Sequence, residues 1–246
     1  MQTFYFTDPG MVRSHNEDSV IILNKNHKEF VLAIADGMGG HKAGEIASKI
    51  TIEHIIHNFN NIDTLGSKEN AINWLRNTVN EINNKIFEYS NEHIESKGLG
   101  TTLVIAIKTE DYILYGNIGD SSGFVIKNQI LHKVTKDHTY VNMLLNSGKI
   151  TEEAAKNHPS RNLLTRALGA NNPIEIDIFD IDTSVKGIFL CSDGLTNMLT
   201  FEQIEKTLNS NLSIEEVVIK LIKKANSRGG TDNISIAYLK KESGEK

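Results

Sequence analysis

The chain has 246 residues with 39% hydrophobic and 23% charged side chains and no low-complexity run; this is ordinary globular usage and excludes a disordered or fibrous protein. A formal charge of −5 without any Lys/Arg cluster argues against a nucleic-acid partner. No stretch approaches the roughly 20 apolar residues that span a bilayer, and the lone Cys191 excludes an internal disulfide.

The N-terminal segment Met1–Gly10 has neither a basic leader nor a long apolar region, so neither export nor membrane insertion is expected and the cytoplasm is the expected compartment. One domain over residues 1–240, followed by a polar tail at 241–246 that frays, is the simplest organisation for this length, and a monomer is the default state.

Along the chain, β-branched apolar runs predict strands at 18–24 and 30–35. A helix follows over 43–59, where Ile46, Ala47, Ile50, Ile52, Ile55, Ile56 and Phe59 recur at helical intervals. A second helix carries Ile72, Leu75, Val79, Ile82, Ile86 and Tyr89 as one apolar stripe. Strands are predicted next at 101–107 and 112–118, joined as a hairpin through 108–111, then at 123–126, 174–179 and 187–192. Thr200-Phe-Glu-Gln203 and Ser213-Ile-Glu-Glu216 match capping boxes and predict two more helices before a last strand at 234–239. Hairpin-linked strands with separate helices predict an α+β fold: two antiparallel β-sheets packed face to face and flanked by helices, a four-layer α/β/β/α sandwich.

Acidic residues stand where these strands begin or end: Asp36-Gly37, Asp120-Ser121, Asp193-Gly194 and Asp232-Asn233. A single Asp-Gly is an ordinary turn. Carboxylates gathered from separate strands would repel one another unless hard cations neutralised them, and Mg²⁺ or Mn²⁺ prefers oxygen ligands, so a metal site is the economical reading. Upstream, Gly10-Met-Val-Arg13-Ser-His-Asn-Glu17-Asp18 adds two carboxylates and a guanidinium whose planar fork suits phosphate oxygens. The glycine-rich Ala35–His41 segment lacks the Gly-Lys-Ser/Thr ending of a P-loop, which argues against nucleotide binding.

Taken with Gly100-Thr-Thr102, Thr135-Lys-Asp-His138, His158-Pro-Ser-Arg-Asn162 and Thr165-Arg-Ala-Leu-Gly169, these segments follow one order over nearly the whole chain. In that order the sequence resembles the PP2C-type (PPM) metal-dependent Ser/Thr protein phosphatases, especially their compact bacterial members. The resemblance implies hydrolysis of phosphoserine and phosphothreonine by a hydroxide between two Mn²⁺ or Mg²⁺ ions. Asp36 would bridge them, the Gly37 carbonyl would bind one, and Asp193 and Asp232 would complete the set. Glu17 would bind through water, Asp18 would orient metal-bound water from behind, and Arg13 would hold the substrate phosphate. Asp120, with Asp193, matches ligands of a third, weaker metal. Segment 137–169 corresponds to the family's mobile flap and is expected to contact protein substrates, although Val141, Leu144 and Leu145 would equally serve ordinary helix packing. A PASTA-type Ser/Thr kinase and its targets are the implied partners.

Two positions depart from the family pattern. Met38 stands where many eukaryotic relatives carry a His proposed as general acid, so a metal-bound water or another group must substitute; His41 could serve, though an isolated loop His is more often structural. Gly119-Asp-Ser-Ser122 replaces the usual Gly-Asp-Ser-Arg, which is expected to alter the local surface and substrate docking.

Other chemistries fit less well. Cys191 reads as a buried strand thiol, because a thiolate phosphatase needs a nearby phosphate-binding Arg and Asn197 stands six residues on. Asp180-Ile-Asp182-Thr superficially matches an aspartyl-phosphate motif, but the motifs that would position such an intermediate are missing. The competing non-enzymatic reading is a catalytically inactive phosphoprotein-binding module, for which retention of every metal-ligand candidate would have no purpose.

Overall fold

The structure is a computed structural model that describes residues 1–39, 43–93 and 98–242. Its strands are β1 (Gln2–Asp8), β2 (Asp18–Lys25), β3 (Glu29–Met38), β4 (Gly100–Thr101), β5 (Leu103–Lys108), β6 (Ile113–Ile118), β7 (Ser122–Lys127), β8 (Ile130–Lys133), β9 (Asp177–Ile181), β10 (Gly187–Cys191) and β11 (Ile234–Lys240). The helices are α1 (Ala43–Asn60), α2 (Lys68–Glu92), α3 (Tyr140–Asn146), α4 (Glu152–Lys156), α5 (Asp193–Thr196), α6 (Phe201–Leu208) and α7 (Ile214–Ser227).

The strands form two antiparallel sheets, in the orders β1-β11-β10-β7-β8 and β2-β3-β5-β6-β9, with β4 added against the end of β3. Strand β3 shows why they stack. Phe30, Leu32 and Ile34 pack with Val125, Ile188, Leu190, Ala237 and Leu239 of the other sheet, while the alternate residues Val31, Ala33 and Ala35 pack under α1 and α2. Both faces of the strand are therefore buried, and each large aliphatic so removed from water contributes about 1.5–3 kcal/mol. On the far side, Phe124, Phe189, Cys191, Ile236 and Tyr238 meet Ile204, Leu208, Val217, Val218 and Leu221 of α6 and α7. The layers are thus helix, sheet, sheet, helix, as the sequence pattern predicts.

Helix starts follow local chemistry. Ser67 Oγ accepts from Asn70 N at 3.2 Å to open α2. Both predicted capping boxes form: Thr200 N donates to Gln203 Oε1 at 3.1 Å, and Ser213 N donates to Glu216 Oε2 at 2.8 Å.

Two strands have no counterpart in the sequence-based prediction. In β1, the edge residues Tyr5 and Phe6 are both exposed, so the aromatic run shows no inside–outside alternation. Strand β8 follows β7 through Asn128 and Gln129, both in the left-handed region with φ of 53° and 65°. That is hairpin geometry without the Asn-Gly that announces it. The predicted strand at 174–179 lies instead at Asp177–Ile181. Of the expected tail, residues 243–246 fall outside the described residues. Among the described residues, no helix is long and apolar enough to cross a membrane.

Candidate active site

The antiparallel register of β2 and β3 places Asp18 directly opposite Asp36. One residue on, Gly37 pairs with Thr101 of β4 and donates its N–H to Glu17 O at 3.1 Å. Helix α1 starts hard against this point: a Cβ on Gly37 would lie 2.1 Å from Gly44 O, and one on Gly44 would lie 2.9 Å from Glu17 Cδ. Two glycines therefore bring Glu17, the Gly37 backbone and the first turn of α1 into contact.

From the other sheet, β10 delivers Asp193 as the first residue of α5, where Asn197 Nδ2 donates to Asp193 Oδ2 at 2.9 Å. Asp232 lies in the loop entering β11 and takes Arg13 Nη2 at 2.9 Å. Its neighbour Asn233 fastens the whole N-terminal loop: Nδ2 donates to Pro9 O and His15 O, both at 2.9 Å, and Oδ1 accepts from Glu17 N at 2.9 Å. Asp120 follows β6.

These groups share one cleft of about 550 Å³, lined by Arg13, Glu17, Asp36, Gly37, Asp120, Asp193 and Asp232, with Met38, Thr102 and residues 162–167 completing the wall. Burial and then the charges of Asp18, Asp193, Asp120 and Asp232 push the Asp36 carboxyl far above the usual range. Burial likewise raises Asp18 to about 7 and Asp120 to about 8, with Asp193 adding repulsion to each. Burial raises Asp193 and Glu17 too, whereas Asp232 raises the Arg13 guanidinium.

Asp18 carries the plainest sign of an anionic site. Both its oxygens are buried without a hydrogen-bond partner. The adjacent hydroxyls donate elsewhere, Ser192 Oγ to Asn233 O and Ser235 Oγ to Thr7 Oγ1. Charges held this way need neutralising cations. The donor set is all oxygen, which suits Mg²⁺ or Mn²⁺ rather than a softer ion. Among the described residues no group of three His, Cys, Asp or Glu is arranged to hold a metal ion by itself.

A protein phosphatase 2C family profile matches residues 12–230. The chain belongs to the protein phosphatase 2C family. It is 37% identical over 243 residues to the serine/threonine phosphatase Stp of Listeria monocytogenes, covering 98% of this chain and 96% of that one. The serine/threonine phosphatase of S. agalactiae superposes with a TM-score of 0.93 at 33% identity, covering 98% of this chain and 99% of that structure. Stp1 from Staphylococcus aureus gives 0.92 at 34% identity, with 98% and 95% covered. This PP2C member is thus a protein serine/threonine phosphatase, metal-dependent as its family is, with phosphoproteins as substrates.

The PP2C cleft gathers all but two of the nine residues expected to bind metal, phosphate or the leaving group's proton. Asp18 sits behind the cleft wall, only 7% exposed. His41 lies outside the described residues. Ser122, where the family's usual Arg is absent, is itself 1% exposed within β7. Cys191 is buried and its thiol is pushed up by burial, opposite to the thiolate a cysteine phosphatase needs. Asp180 is exposed, pairs with Lys68 at 2.6 Å and stands outside the cleft lining. In the 137–169 segment, Val141, Leu144 and Leu145 of α3 are half-buried.

Asn83 is a supporting residue that the sequence reading does not single out. Asn83 is 2% exposed in α2; its Oδ1 accepts from Gly169 N at 2.9 Å and its Nδ2 donates to Asn171 O at 3.0 Å. It thereby fixes the turn carrying the cleft residues Ala167, Ala170 and Asn171. The signal was present: Asn83 falls four residues after Val79 and three before Ile86, a polar side chain inside the apolar stripe.

Proposed function

We propose that Asp36, Asp193 and Asp232, with the Gly37 carbonyl, hold two Mn²⁺ or Mg²⁺ ions, and that Asp120 with Asp193 holds a third more weakly. Glu17 contributes through water and Asp18 orients water from behind. Such cations supply a nucleophile at neutral pH and positive charge for the phosphoryl oxygens. The chain's own groups do the remainder. Arg13, half-exposed on the rim and paired with Asp232, presents its fork to the substrate phosphate. Asn233 keeps Arg13 and Glu17 on one side of the cleft, and Asn83 keeps the opposite wall in place. Met38 lines the cleft but has no proton to give, so His41 is the proposed donor to the leaving alkoxide.

The observation carrying this reading is the convergence of buried, mutually repelling carboxylates with one guanidinium on a single cleft. We further propose that residues 1–240 act as one catalytic domain, that 137–169 forms a flap contacting protein substrates, and that the enzyme is a cytoplasmic monomer opposing a PASTA-type Ser/Thr kinase. Phosphate release from a phosphothreonine peptide tests the site: turnover with Mn²⁺ that vanishes in EDTA and in D36N is expected. Full activity in either would overturn it. For His41, H41A should slow a phosphoserine peptide, a poor leaving group, far more than p-nitrophenyl phosphate. Equal slowing would remove His41 from that role.

A further inference from the structure

We infer that His138 is a positioning residue of this phosphatase, clamping the Gly119–Asp120 turn so that the Asp120 carboxylate is presented to the cleft. The inference rests on the reading of Asp120 as a cation ligand.

Gly119 has φ of +99°, and a Cβ there would lie 2.6 Å from Thr102 Cγ2, so the backbone is pressed against Thr102, between β4 and β5, and its amide turns inward. A buried N–H needs an acceptor, and His138 Nδ1 provides it at 3.1 Å. The same residue's N–H donates to Gly119 O at 2.9 Å, so His138 grips both polar groups of one glycine. Accepting at Nδ1 leaves the ring proton on Nε2, which donates to Asp177 Oδ2 at 3.1 Å. Arg166 Nη1 takes the other oxygen of Asp177 at 2.6 Å and also reaches Glu175 O at 3.2 Å. Arg166 and His138 approach within 3.3 Å as two donors to one carboxylate. Burial pushes Asp177 up, but the bonds from Arg166 and His138 prevail and hold it below the usual range.

The chain of contacts has a direction. Asp177 on β9 is anchored in the sheet and aims the imidazole; the imidazole aims Gly119; Gly119 sets the next residue, Asp120. Its carboxylate faces repulsion from Asp193 and Asp137, and a side chain repelled in this way swings off unless its backbone is fixed. The His138 carbonyl also accepts Thr165 N at 2.8 Å, tying the clamp to the far end of the 137–169 segment.

Isothermal titration of the whole metal-free chain with Mn²⁺, beside hydrogen exchange at the Gly119 amide, tests this. H138A should weaken the lowest-affinity Mn²⁺ event about fivefold or more, as D120A does, and should unprotect Gly119. H138N, whose Oδ1 can accept from the Gly119 N–H, should restore both to within about twofold. A D120A isotherm that changes while that of H138A does not overturns the clamp alone. An unchanged D120A isotherm removes the ligand reading of Asp120, and the proposal with it. Equal defects in H138A and H138N would mean a merely structural histidine and also refute it. Should H138A fail to fold, D177N, which frees the ring to turn, is read by the same criteria.

Discussion

Replacing Asp18 with Asn should make the metal-free protein more stable while abolishing its activity. Burial raises the Asp18 carboxyl from its ordinary value near 3.8 to about 7 in the folded chain. Between those values the native state holds a proton that the unfolded chain has released, so native stability falls as pH rises from about 4 to about 7 and is level above. At 1.36 kcal/mol for each tenfold change, the full cost of the charge is roughly 4 kcal/mol. Neighbouring Asp36, Asp193 and Asp232 share the same field and relax when one charge is removed, so a gain of about 2–4 kcal/mol is expected for D18N at pH 8, shrinking to about 1–2 at pH 5. Urea denaturation in EDTA at the two pH values measures it. Saturating Mn²⁺ should then narrow the gap, because binding at a hundredfold over Kd adds about 2.7 kcal/mol to the wild type. A D18N protein no more stable than wild type at pH 8, or a gap independent of pH, would refute the reasoning.

Arg13→Ala should lower kcat/KM for a phosphopeptide roughly 10- to 150-fold, the equivalent of about 1.5–3 kcal/mol for a charged hydrogen bond. Its melting curve should barely move, since the Arg13–Asp232 pair is substantially exposed. Gly44→Ala puts a methyl group 2.7 Å from Gly37 C and 2.9 Å from Glu17 Cδ, and the displaced backbone should cost about 100-fold in turnover with the helical circular dichroism retained. Asn83→Leu leaves Gly169 N–H and Asn171 O without partners and should cost about 1–3 kcal/mol in denaturation midpoint analysis, with faster hydrogen exchange at Gly169.

The layered fold is legible in the sequence because its core strands are buried on both faces and its helices carry apolar stripes. Where that signal fades, so does the reading. Edge strand β1 exposes neighbouring aromatic residues, and the β7–β8 turn uses Gln129 at a positive φ that composition does not announce. The carboxylates were found because Asp beside Gly at strand ends is a local pattern, but their roles in space were only partly visible. Asp36 lies within β3 rather than past its end, and Asp193 starts a helix. Asn233, Asn83 and His138 act through backbone groups far away in the chain, such as the Glu17 amide held by Asn233. No spacing rule encodes such long-range partners.

The claim that everything else depends on is that one cluster of oxygen ligands holds the working cations. Anomalous scattering from a crystal soaked in Mn²⁺ tests it most directly. The account predicts strong peaks within ligand distance, about 2–2.3 Å, of carboxylate oxygens of Asp36, Asp193 and Asp232. Peaks only elsewhere, in crystals of enzyme that still hydrolyses phosphothreonine, would contradict it.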